Sequence, residues 1–491
     1  MYQQLKRLGT DTAIYGISTI VGRFLNFLLV PFYTNVLLPG EYGIVSYIYS
    51  LIAFANVVYL YGMETAFLKY ASTEEEGSKK QCFSSAFLSL GGSSLAFTIL
   101  LCFSAPLLLR SLALPDDQFN LVYYTAGILL FDTVAAIPFA LLRLERKATK
   151  FAMLKLVNII VNVGMNILLL VVFDKGVEGI FISGIVSSAV TVLLLLPGIL
   201  RNLVVEKNTG LWKSLMKYGL PSIPAGLAGM ALQVVDRPIL KALTDDATVG
   251  IYQANYRLGI FMMLIVSMFD YAWKPFIFSV ANEANAKQLF ARVLTYFTFI
   301  MTTVFLVLTF FIDDVVRITF YGHHLINERY WSGLEIVPVV LLGYLFLGMA
   351  TTMSAGIYIE KKTRYNPPIT IAAAIVNIAA NVILIPVLGM TGAAYATLAA
   401  YVVMAVLTYI MTQRIYPMQY EWGRLAKLGV VVTIVVVAEA AVLASAFESL
   451  FKALMILVFF LLLGIVKFFK PGEMEMLRRI IVRGKGADIK P

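Results

Sequence analysis

Cysteine is almost missing from this chain: Cys82 and Cys102 are the only two in 491 residues, too few for a disulfide framework or a thiolate metal cage. Histidine is as scarce, and His323 and His324 are adjacent, a spacing that does not suit a metal. Charge is thin as well: Asp, Glu, Lys and Arg make up 14% of residues against 60% hydrophobic ones, so no water-soluble globule can be wetted by this composition. There is no GxxxxGK[ST] stretch, which disfavours direct use of ATP through a phosphate-cradling loop. The opening MYQQLKRLGTDTAIYGIS lacks a short apolar stretch ending at a small-residue cleavage site, and reads as an uncleaved first span.

What is present is apolar length. Runs near the ~20 residues needed to cross hydrocarbon occur fourteen times, from about 11 to 31 through about 450 to 468. The expected fold is an all-α polytopic membrane protein of fourteen transmembrane helices. With the N-terminus taken as cytoplasmic, 30 of the 39 Lys and Arg fall in inside segments, six outside and three (Arg23, Arg237, Arg257) within spans. That asymmetry orients both termini to the cytoplasm. It also accounts for the net charge of +10 as orientation signal and inner-leaflet contact, without nucleic acid.

The chain echoes itself. VNVGMNILL (161 to 169) returns as VNIAANVIL, and the shift of 215 residues that lays Asn162 on Asn377 also lays Glu145, Arg146 and Lys147 on Glu360, Lys361 and Lys362. Earlier in each half a shift of 207 aligns Gly43, Ile44, Tyr49 and Leu51 with Gly250, Ile251, Tyr256 and Leu258, and Pro31 with Pro238. The reading is an internal duplication into two six-helix lobes, 1 to 205 and 206 to 415, of the same orientation. Spans 13 and 14 (416 to 468) and a basic tail (469 to 491) lie outside that plan.

The six-plus-six core with two extra spans, the opening STIVGRFLNFLLVPFYTNVLLPGEYGIVSYIYSL, and LRLERKATKF with its echo IEKKTRY resemble the Wzx-type polysaccharide-export branch of the multidrug/oligosaccharidyl-lipid/polysaccharide (MOP) exporter superfamily. The resemblance covers essentially the whole chain. It implies a bacterial inner-membrane flippase that moves an undecaprenyl-pyrophosphate-linked oligosaccharide (an O-antigen, capsule or exopolysaccharide repeat unit) to the outer leaflet by alternating access. Its expected partners are that lipid-linked substrate, the bilayer and other polysaccharide-assembly membrane proteins.

Independently of the resemblance, arginines inside spans imply an anion. Mid-span Arg costs on the order of 2.5 to 3.5 kcal/mol on insertion scales, so Arg23 and Arg257 should face protein or water. Arg237, nearer a span end, can snorkel instead. A guanidinium fork matches phosphate geometry. The alternative is that each Arg locks helices by pairing with an acid: Asp236 beside Arg237, or Asp132 in span 4. Tyr47 and Tyr49 are candidates to stack on sugars, though tyrosines near span ends also serve as interface anchors. Prolines at 31, 138, 221, 224, 238 and 275 are candidate kinks.

Ion coupling has its own candidates. Asn377 and Asn381, one turn apart, could join Thr397 and Asp236 in an oxygen cage for Na⁺; Asp132 or Asp236 could instead carry H⁺. The cage is similar to the cation site of some lipid-linked flippases of the superfamily, where an acid often stands at the position Asn381 holds. Equally, Asn162 and Asn166 repeat the spacing in the first lobe, where interhelical hydrogen bonds explain it. No other cofactor is expected. Nothing in the outer loops supplies the catalytic acid or base of a glycan polymerase, so an enzyme is not expected. A multidrug/cation antiporter of the same superfamily is the main rival.

Overall fold

The structure, a computed structural model, describes residues 22, 24 to 25, 27 to 74, 77 to 112, 118 to 204, 208 to 441 and 448 to 470. Those residues form helices almost throughout, with one two-stranded hairpin pairing Thr319–Phe320 with His323–His324. In chain order the helices are α1 (Phe27–Val36), α2 (Pro39–Leu60), α3 (Met63–Thr73), α4 (Lys79–Phe103), α5 (Ala105–Ser111), α6 (Asn120–Leu144), α7 (Ala148–Ile167), α8 (Gly176–Asn202), α9 (Thr209–Gly219), α10 (Ile223–Val234), α11 (Asp236–Leu243), α12 (Asp246–Tyr256), α13 (Ile260–Val280), α14 (Ala286–Val316), α15 (Val337–Met353), α16 (Ala355–Ile359), α17 (Asn366–Ile415), α18 (Trp422–Ala440) and α19 (Glu448–Ile465). Among the described residues nine helices are long and apolar enough to cross a membrane, ten if the pair α9–α10 and α11, bent by 57°, counts as one span. The chain is therefore a polytopic all-α membrane protein.

The helices start where local chemistry says they should. Pro39 opens α2 in its first turn, and the Glu41 carboxylate accepts from the Leu38 amide at 2.7 Å. Ser78 and Gln81 cap α4 reciprocally. Asp245 accepts from the Thr248 amide at 2.8 Å to start α12. Of the candidate kink prolines, Pro138 and Pro275 are carried inside continuous helices, whereas Pro221 and Pro224 sit at the junction of α9 and α10, where a 3-10 turn interrupts the span.

α17 runs 50 residues, roughly 75 Å at 1.5 Å per residue, far beyond a ~30 Å hydrocarbon core. It is broken at Gly389, whose φ of 57° and ψ of −135° are open to glycine and strained for other residues. Some positions 207 or 215 residues apart have similar backbone geometry. Pro39–Thr73 and Asp246–Val280 are both 35-residue broken helices. Arg146 and Lys361 both adopt positive φ, 55° and 53°. The turns around them repeat bond for bond: Lys147 N–H donates to Leu142 O and Lys362 N–H to Ile357 O, each at 2.9 Å. These turns define one end of the molecule, called here the basic end; Pro39 and Asp246 lie at the other.

At that other end the two halves of the chain meet. α2 packs along α12 with Gly43 and Gly250 back to back: a Cβ on Gly43 would lie 1.7 Å from Asp246 O, and one on Gly250 1.9 Å from Pro39 O. Only the absence of a side chain lets the backbones come this close. The Tyr330 hydroxyl donates to Leu37 O at 3.0 Å, and the Asn35 amide to His324 O at 2.9 Å. These contacts make a seal across the halves.

Candidate functional site

Behind that seal lies a cavity of about 720 Å³ whose lining runs from Tyr33 and Tyr42 to Glu64 and Arg143 near the basic end. A second cavity, about 440 Å³, lies in the second half of the chain. Arg257 lines both. It stands where a 3-10 turn, Arg257–Gly259, separates α12 from α13, so its side chain leaves a broken span and not a regular helix face. Arg257 is exposed and forms no hydrogen bond or ion pair with a described residue. Arg23, its expected companion, lies outside the described residues.

The first-half wall of the large cavity is polar. Lys155, Asn158 and Asn162 on α7 all line it. Their spacing, continued by Asn166, puts them on one helix face. Lys155 is exposed, holds no ion pair among the described residues, and lies 4.3 Å from the Phe139 ring centroid. Counting Lys155 with the loop charges of the basic end misses it: beside Arg257 and the Glu64-paired Arg143 it is a further cation of the cavity, and the repeat at 155, 158, 162 and 166 was the signal. Asp132 faces the same space and accepts from the Ser188 hydroxyl at 2.6 Å. Arg143 is paired with Glu64.

Tyr49 also lines the cavity, stacked on Phe181 with centroids 5.3 Å apart. Tyr47 does not: it is 6% exposed and lies under the Lys241 ammonium, 4.7 Å from its ring centroid. The expectation that both tyrosines face a substrate is corrected here. Two positions apart on a helix, they point some 200° apart.

Arg237 is a correction of a different kind. It lines the second cavity but is 5% exposed and fully engaged: its guanidinium pairs with Asp236 at 2.5 Å, donates through Nε to Gln253 Oε1 at 3.0 Å and through Nη1 to Gln233 O at 2.5 Å, and rests 4.4 Å from the Tyr256 centroid. The helix-locking alternative describes this arrangement, and the substrate-clamp role does not. The other Asp236 oxygen accepts from the Tyr252 hydroxyl at 2.5 Å, and Tyr252 is in turn hydrogen-bonded to Thr397. Gln253 and Tyr252, neither of them anticipated from sequence, complete the network that ties α11 to α12.

Asn377 and Asn381 are buried on α17. The Asn381 amide donates to Asn377 O at 2.8 Å and Oδ1 at 2.9 Å, which leaves Asn377 Nδ2 and Asn381 Oδ1 buried with no hydrogen-bond partner. Their first-half echoes form the same inner bonds at 2.8 and 3.1 Å, but Tyr33 donates to Asn166 Oδ1 at 3.0 Å and Asn162 donates to Ser187 Oγ at 3.3 Å. A smaller polar cleft of about 250 Å³, lined by Asp270, Tyr358, Asn366 and Thr408, shares Thr370 with the second cavity; Lys274 at its edge pairs with Asp270 at 2.7 Å, as its (i, i+4) spacing implies.

The described residues thus form a helical membrane fold whose two halves pack together around a charged polar cavity. The family described as "Polysaccharide biosynthesis protein" matches residues 8–281, and the chain belongs to it. Its fold has solved counterparts among membrane proteins. It is similar to the solved "Lipid II flippase MurJ, inward closed conformation" at a TM-score of 0.71 and 18% identity, covering 92% of this chain and 98% of that one. It is also similar to an inward-facing multidrug resistance MATE family transporter of the MOP superfamily, at a TM-score of 0.64 and 14% identity over 80% of this chain and 94% of that one. A curated relative from Haemophilus influenzae, described as an uncharacterized membrane protein, is 19% identical over 352 residues, 68% of this chain and 83% of its own length.

Proposed function

We propose that the protein is a Wzx-type flippase that carries an undecaprenyl-pyrophosphate-linked oligosaccharide from the cytoplasmic to the outer leaflet of a bacterial inner membrane. In this reading fourteen spans form two duplicated six-helix lobes, 1 to 205 and 206 to 415, plus two further spans and a cytoplasmic tail, with the basic end in the cytoplasm. The observation that carries the reading is Arg257, a guanidinium at the junction of two cavities with no counter-ion among the described residues. Ionisable groups that face a cavity inside a membrane protein mark substrate pathways, and pyrophosphate offers Arg257 a fork-matched pair of oxygens. Lys155 supplies a second positive charge from the opposite lobe. The sugars take the polar cavity, with Tyr49 as a stacking surface, while the prenyl tail stays in lipid.

Alternating access then opens the Gly43–Gly250 seal and closes the basic end. Tyr252 lies two residues beyond Gly250 on α12, so its bond to the Asp236 carboxylate tethers the sealing helix. Protonating Asp236 neutralises the acceptor and loosens that tether, which makes Asp236 the proposed coupling group for H⁺. Na⁺ fits the set poorly: Arg237 and Tyr252 occupy both oxygens of Asp236, which leaves Asn381 Oδ1 as a lone buried acceptor without a partner. The carboxylates Asp132 and Glu64 in the same cavity favour a second reading, export of an organic cation. The two are separated by flipping assays in proteoliposomes with a defined undecaprenyl-pyrophosphate oligosaccharide and with a cationic dye: transport of the glycolipid alone supports the flippase, and transport of the dye alone overturns it.

A further inference from the structure

The first helix of the second half carries two faces that the transport cavity does not use. On α9, Leu211 and Leu215 are buried against α3 and α4. The stripe of Trp212 and Met216, continued by Ile223, lines a groove of about 480 Å³ whose far wall is Val58 of α2 and Phe97 of α4. α2 separates this groove from the central cavity: Leu60 lines the cavity, and Val58 the groove. The polar atoms at the groove are already satisfied by one another, because Trp212 Nε1 donates to Ser89 Oγ at 3.1 Å, Tyr61 shares a hydrogen bond with Ser89 at 3.0 Å, and Ser93 donates to the Tyr61 hydroxyl at 3.2 Å. What remains is an apolar trough. The twelve residues from 212 to 223, eleven steps of about 1.5 Å, span roughly 16 Å, enough for most of one acyl chain.

Three exposed ammonium groups lie on or against α9, the helix that forms one wall of the trough. Lys213 and Lys217 are exposed on α9, and Lys69 on α3 sits 4.2 Å from the ring centroid of Tyr218 on α9. None of the three forms an ion pair among the described residues. Trp212, 42% exposed, is the amphipathic ring that membrane interfaces favour at the level where headgroup and chain divide. We propose that this groove binds an anionic phospholipid, with one acyl chain along Trp212, Met216 and Ile223 and its phosphate against Lys213, Lys217 and Lys69. α2 and α4 belong to the first half and α9 and α10 to the second, so the lipid touches both halves and biases the equilibrium between them. A zwitterionic lipid fills the trough without engaging the lysines.

The test uses the full chain in phosphatidylcholine nanodiscs containing a minority of dibrominated phosphatidylglycerol or, in parallel, dibrominated phosphatidylcholine. Quenching of Trp212 is read as the difference between the wild type and Trp212→Phe, with Trp422→Phe as a control for another exposed tryptophan. Juxtamembrane lysines favour anionic lipid by on the order of fivefold each. Brominated phosphatidylglycerol should therefore quench Trp212 several-fold more than equal brominated phosphatidylcholine, and the Lys69→Gln, Lys213→Gln, Lys217→Gln variant should equalise them. Equal quenching in the wild type, or selectivity that survives the triple substitution, overturns the site. So does relief of the quenching by stoichiometric undecaprenyl phosphate, which would reassign the groove to the substrate tail. The flippase reading can fail without touching this outcome, because no transport is measured.

Discussion

The two asparagine pairs share a spacing, a helix position and a pair of inner hydrogen bonds, yet they end in different states. In the first half, Asn166 Oδ1 accepts a hydrogen bond from the Tyr33 hydroxyl and the Asn162 amide donates to Ser187 Oγ. In the second half, the matching atoms of Asn381 and Asn377 are buried with no partner. Two stretches of like sequence thus keep the same inner bonds, while their surroundings decide whether the remaining polar atoms are satisfied. The same contrast holds for the cations. Arg237 is consumed by Asp236, whereas Arg257, twenty residues on, is left open to both cavities.

The largest effect is expected at the seal, where the halves meet symmetrically. Gly43→Val or Gly250→Val puts side-chain atoms where the opposing backbone now lies, and overpacking of this kind costs about 1–3 kcal/mol or more. Closure should be disfavoured by one to two orders of magnitude, read as increased labelling of a cysteine introduced at Tyr42 from the end where Pro39 lies. Next in size, Arg257→Ala should weaken binding of an undecaprenyl-pyrophosphate lipid at least tenfold, as loss of a charge-assisted contact of roughly 1.5–3 kcal/mol implies. Lys155→Gln should weaken it less, since its point charge lacks the fork.

The asparagine contrast sharpens with a matched pair. Asn166→Leu removes inner and outer bonds, while Asn381→Leu removes only the inner ones, so Asn166→Leu should destabilise by roughly 1 kcal/mol more in thermal unfolding. Asp236→Asn should make transport insensitive to an imposed pH gradient while Asp132→Asn leaves that response in place. The smallest effect concerns the basic end. Burial pushes the Glu145 carboxyl up, but the ammonium groups of Lys147 at 2.7 Å and Lys79 at 2.9 Å outweigh it and hold it below the ordinary glutamate value. Its contribution is present above the unfolded value and disappears as pH falls through the lower folded one. Lys79→Gln should therefore cost a small amount of stability at neutral pH and nothing under strongly acidic conditions, measured by thermal unfolding across pH.

Much of this architecture can be read in the residues. Apolar length announces spans because a bilayer leaves the backbone few alternatives, and the shift of 215 residues anticipates even the positive φ shared by Arg146 and Lys361. Contacts across the halves are another matter. Gly43 and Gly250 align under the shift of 207, but no local pattern says that aligned glycines touch. Arg237 carried both its roles openly, with Asp236 adjacent, and three-dimensional burial chose between them. Lys155 was legible on its helix face and was obscured by its nearness to a basic loop. Tyr47 was separable from Tyr49 by helix geometry alone.

Arg257, a guanidinium with no ion pair among the described residues, is the proposed receiver of a lipid pyrophosphate at the junction of the cavities. The most direct test is translocation of a defined undecaprenyl-pyrophosphate oligosaccharide in proteoliposomes by the wild type, Arg257→Ala and Arg257→Lys at matched insertion. The account predicts transport by the wild type, loss in Arg257→Ala and partial recovery in Arg257→Lys. Undiminished transport by Arg257→Ala would contradict it.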